Sequence, residues 1–185
     1  MKRFYWFALS LMLGLGLGLG VYQVRAAQTK PLVRQVLPQG IFPQEFQRRG
    51  ASITSPEDPT HPLNNVGSIK SPDHPALRFS EGYGVTVLVL GERPFSGGAV
   101  GHFLYRYVNE DLTRQAAEAL VREWKLEPGF KPSPNGWVFE GLDSEGFPLY
   151  AWIQVCGSVL SLLIVNGPST KEIFERAVQV LSALR

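Results

Sequence analysis

Three apolar runs, at residues 137–141, 148–156 and 159–165, follow one another with only short turns between them. A parallel crossover needs roughly ten or more residues, so these runs must pair antiparallel as a meander. The turn chemistry agrees: Asp143-Ser144-Glu145-Gly146 separates the first pair and Gly157 the second. Two further runs read as strands. One, at 85–90, is rich in Val and Leu and ends at Gly91; the other, at 102–108, alternates. Its Phe103, Tyr105 and Tyr107 point to one side, and His102, Leu104, Arg106 and Val108 to the other.

Helical spacing occupies two places. Leu112, Ala116, Leu120 and Trp124 recur every four residues over 111–124, with Asn109 or Asp111 as cap, before Pro128, Pro132 and Pro134 impose a loop. Ser169 and Glu172 form a capping box for a last helix with Ile173, Ala177, Val180, Leu181 and Leu184 on one face. The pattern predicts an α+β domain over residues 81–185, ordered β-β-α-β-β-β-α. Its antiparallel sheet has about five strands, and both helices pack on one face.

The rest of the 185 residues is organised differently. After Lys2 and Arg3, no charge occurs from Phe4 to Val24, a run that at ~1.5 Å per residue crosses a hydrocarbon core of about 30 Å. Residues 1–26 therefore read as a signal peptide cleaved after Val24-Arg25-Ala26, or as a retained anchor that places 4–24 in a membrane. In an anchor, Gly14, Gly16, Gly18 and Gly20 supply small-xxx-small spacings, and Gly14 with Gly18 would support a helix dimer. Both readings put the body outside the cytoplasm, in a periplasm, a lumen or the medium.

Export changes the charge balance. The chain has 18 Lys and Arg against 16 Asp and Glu, a net charge of +2. Without Lys2, Arg3 and Arg25 the carboxylates outnumber the cations, which removes the basic surface that nucleic-acid binding requires. Residues 27–80 hold more than half of the 14 prolines and no sustained period, so they read as an extended Pro/Gln-rich arm or linker. Pro56, Pro59 and Pro62 suit a polyproline II turn that docks in an aromatic groove or merely spaces. Apolar islands at 32–37 and 41–46 are able to dock on the domain.

No pattern points to a cofactor or a metal. His61, His74 and His102 are scattered and read as surface or loop histidines. Cys156 is the single cysteine, so no intrachain disulfide forms, and it reads as a small buried side chain of the sheet. Pairing it with His102 is the one nucleophilic arrangement to test. Gly97, Gly98 and Gly101 precede a strand rather than a helix and so read as a hairpin loop, while Glu140, Asp143 and Glu145 read as solvated turn carboxylates.

The strongest candidate surface is aromatic. Leu149, Ala151, Ile153 and Val155 form an aliphatic row suited to helices, leaving Tyr150, Trp152 and Gln154 on the other side. Joined by Phe103, Tyr105, Tyr107 and one of Trp137 or Phe139, they would form a binding face; alternatively the arm or the 128–134 loop covers the rings as a second core. The expected function is a non-enzymatic exported or membrane-attached accessory protein that binds a protein complex through this face or the arm. Carriage of a small apolar or pigment-like ligand, and an enzyme using Cys156 or His102, are the alternatives.

Overall fold

The computed structural model describes residues 31–38, 47–53, 73–88, 99–124, 126–167 and 170–183. The leader with its glycines, the prolines at 56, 59 and 62, His61, Gly97, Gly98 and Ser169 lie outside the described residues. The chain divides into two units, Met1–Arg34 and Gln35–Arg185. In the first, Leu32–Arg34 forms a 3-10 turn in which the Arg34 N–H donates to the Pro31 carbonyl at 3.0 Å.

In the second unit the described strands are β1 (Gln47–Ile53), β2 (Glu81–Leu88), β3 (Ala99–Arg106), β4 (Lys131–Ser133), β5 (Gly136–Leu142), β6 (Pro148–Cys156) and β7 (Val159–Asn166). They form one antiparallel sheet in the order β1-β2-β3-β7-β6-β5-β4. The α+β class and the antiparallel meander are as the sequence predicts. The two strands beyond the expected five come from segments rich in proline: β1 from the region read as an arm, and β4 from the loop before β5. Pro132 has no N–H to give a ladder, which an edge strand such as β4 tolerates. At Gly136 any Cβ would fall on the Ile153 carbonyl oxygen, so the β5 and β6 backbones approach as closely as they do only because this residue is glycine.

Helix α1 (Glu110–Glu123) starts where Asn109 leaves helical geometry and its Oδ1 accepts the Leu112 N–H at 2.9 Å. Glu110 and Asp111 place negative charge against the positive end of the helix dipole. Its Ala116, Ala117 and Leu120 pack on Phe103, Tyr105, Ile153, Val155, Leu160 and Leu162. These sheet residues share one side because the ladder sets Tyr105 opposite Leu160 and Leu160 opposite Val155.

Helix α2 (Thr170–Ala183) covers the other side. Phe174 stacks on Tyr150 with ring centroids 5.3 Å apart, and Tyr150 points away from its strand neighbours Leu149 and Ala151. The expectation of two helices on one face is thus corrected to one helix on each. The cause is visible in β7: Leu160 and Leu162 on one side, and Leu163 and Val165 on the other, are all buried. A strand apolar at both parities leaves two faces that need cover.

Candidate functional site

The six aromatic-face residues are divided by the register. Phe103 and Tyr105 lie on the α1 face, and Tyr107, just past the end of β3, joins the same core. Tyr150, Trp152 and Gln154 lie on the α2 face. Phe103, Tyr105, Tyr107, Trp152 and Gln154 are buried, and Tyr150 is half-buried. Trp137 and Phe139 both fall on the α1 face, opposite Ile153 and Ala151. Alternation gives the sides within each strand, but the phase between strands is fixed by pairing, and a one-residue offset exchanges the sides. A continuous aromatic surface is therefore not formed.

The rings of the α1 face are filled in from both regions that the sequence offers as covers. Phe79 packs on Tyr105 at 5.1 Å between centroids. The Tyr107 hydroxyl donates to the Ala76 carbonyl at 2.8 Å, in the 3-10 turn Pro75–Leu77, and burial pushes this phenol well above its ordinary range. Phe130 bridges Trp124 at 5.7 Å and Phe139 at 5.6 Å. Tilted ring pairs of this kind add to the apolar burial.

The α2 face contains a buried polar row, and it includes His102, which the sequence suggests is a surface or loop histidine. His102 is 1% exposed. Its Nδ1 accepts the Leu37 N–H at 3.1 Å, so Nε2 carries the proton and donates to Ser161 Oγ at 3.0 Å. Gln154 sits directly across from Ser161 on β6. The apolar island at 32–37 is the only sequence hint of the Leu37 contact. Both ring nitrogens are occupied by structural partners, which is the chemistry of a pinned core imidazole rather than of a poised base.

His102 and Cys156 are not brought together. Cys156 lies opposite Val159, itself opposite Arg106, so His102 is two strands away and four residues along, on the order of 15 Å. Cys156 is partly exposed rather than buried. His74, expected on the surface, is buried: Nδ1 accepts the Ala76 N–H at 3.2 Å and Nε2 donates to Glu123 Oε1 at 2.9 Å, tying the Pro75–Leu77 turn to α1. No cluster of three or more metal-ligating side chains occurs among the described residues.

Of the three turn carboxylates, Asp143 is structural. Its Oδ2 accepts from Asn166 Nδ2 at 2.6 Å, and its Oδ1 accepts the N–H groups of Glu145 and Phe147, each at 2.9 Å. The Asn166 bond foremost, opposed by desolvation and supported by the turn N–H groups, holds this carboxyl below its usual range. The β5–β6 turn is thereby fixed at both ends. Beside it, Leu142 and Phe147 are 59% and 46% exposed.

No protein-family model matches the chain, and no curated protein matches it. Among solved structures it is similar to the extracellular domain of PknH from Mycobacterium tuberculosis, with a TM-score of 0.55 and 13% sequence identity. That likeness covers 82% of this chain and 93% of the PknH domain. At this identity the two share a fold.

Proposed function

We propose that this chain is an exported domain, released or held at a membrane by its leader, that acts by binding a protein partner. The observation that carries the reading is the likeness of its fold, over 82% of its length, to a domain that is extracellular. The uncharged run from Phe4 to Val24 behind Lys2 and Arg3 supports the same side of the membrane. Because α1 and α2 cover opposite sheet faces, the contact surface belongs to loops and edges rather than to the aromatic rows.

Fusing alkaline phosphatase after residue 185 of the full chain tests the location, since that enzyme is active only where its disulfides form. Activity, with degradation of the body by protease added to intact spheroplasts, supports export. An inactive, protease-protected fusion removes the reading. Intact mass of the extracted protein then separates a cleaved leader from a retained anchor.

A further inference from the structure

We propose that the β5–β6 turn is a docking prong for a protein partner that presents an apolar cleft with a basic rim. This deepens, and rests on, the partner-binding reading above. The exposed large hydrophobic residues among those described are Val33, Val108, Leu142 and Phe147, and two of them flank this single turn. Leu142 ends β5 and Phe147 precedes β6, with the Asp143 N–H donating to the Phe147 carbonyl at 2.8 Å between them. Phe147 is of the aromatic kind enriched at interface cores, and Leu142 on the same tip widens the apolar contact it offers.

The tip is built before it binds. Asp143 accepts from Glu145, Phe147 and Asn166, and Gly146, at φ 84°, closes the turn with its N–H on the Asp143 carbonyl. A prong already in its bound shape loses little freedom on docking.

Charge decides the partner's chemistry. Residues 136–157, which make up the whole hairpin, contain Glu140, Asp143 and Glu145 and no Lys or Arg. Asp143 is spent on the turn, whereas Glu145, between the two apolar residues, and Glu140, which accepts from the Tyr150 hydroxyl at 3.4 Å, are both exposed. An anionic lipid surface would repel this tip, whereas a cleft rimmed by Arg or Lys complements it.

The test is a random-peptide display selection on the full chain in detergent, followed by titration of the selected peptides against variants. The expected peptides combine Arg or Lys with aromatic or aliphatic residues and bind the Leu142→Ser/Phe147→Ser double variant at least about ten-fold more weakly. Glu140→Gln/Glu145→Gln weakens them at low salt and much less at high salt. Val108→Ser, a change at a still more exposed apolar residue elsewhere, leaves them unchanged, and near-UV circular dichroism verifies that each variant is folded. Peptides that bind the double variant as tightly as the parent overturn the prong while leaving partner binding intact. No enrichment at all overturns both. Sedimentation of the parent, but not the double variant, with phosphatidylglycerol vesicles overturns the prong in favour of a membrane surface.

Discussion

The backbone N–H of Leu37 ends on the Nδ1 atom of His102, 65 positions later in the chain. That bond fixes Leu37 on the α2 face and decides the tautomer with which His102 reaches Ser161. His102→Leu leaves the Leu37 N–H buried without an acceptor and takes the donor from Ser161 Oγ. Unmet buried groups cost about 1–3 kcal/mol each, so the variant should lose about 2–4 kcal/mol, read as a lower urea midpoint at unchanged slope. Equal midpoints would show that Leu37 is not held by the imidazole.

Tyr107 ties the Pro75–Leu77 turn into the α1 core through its bond to the Ala76 carbonyl. Its phenol is raised by burial, so the folded chain keeps the proton while the unfolded chain releases it near the ordinary tyrosine value of about 10. The contribution is whole below about pH 10 and is lost as pH climbs toward the folded value. Tyr107→Phe should therefore cost about 1 kcal/mol at pH 8, and its stability should fall less steeply than the parent's between pH 9 and 11. Parallel pH curves for the two proteins would contradict this.

Apart from the short edge strand β4, which three prolines disguise as a loop, the elements of 99–166 were legible because local chemistry and tertiary structure agree there. Asn109 caps where a cap was expected, and β6 spans the run that the turns delimit. The pairing of faces was not legible, because Phe103 and Tyr150 reveal their sides only relative to their own strands. The signal for double coverage was present in β7, whose apolar run is continuous rather than alternating. β1 and the burial of His74 were not legible because proline density masks order: neither segment contains a period, and each is placed by a partner distant in sequence, Val85 for Gly50 and Glu123 for His74.

Asp143 should make the fold sensitive to acid. Its carboxyl is held low, first by Asn166 and then by the turn N–H groups. The stabilisation is present above the unfolded value of about 3.9 and disappears as pH falls through the lower folded value. Asp143→Ala should lower the melting temperature at pH 7 and reduce the drop in stability on going to pH 3. It should also speed amide exchange at Glu145 and Phe147, whose N–H groups lose their acceptor. Unaltered exchange at those two amides would refute the role given to this side chain.

Gln154 offers the opposite case, a buried polar group whose removal should help. It is 6% exposed, and its Oε1 has no hydrogen-bond partner among the described residues, although Ser161, directly across from it, bonds His102. An unmet buried acceptor is a standing penalty, and replacing it with an apolar side chain of similar length removes that penalty without opening a cavity. Gln154→Met should leave stability unchanged or raise it by up to about 1 kcal/mol in urea unfolding. Ser161→Ala, which strips His102 Nε2 of its acceptor, should instead cost about 1–2 kcal/mol. A loss for Gln154→Met as large as that for Ser161→Ala would mean that the glutamine oxygen does have a partner in solution, and the polar row on the α2 face would then extend across β6.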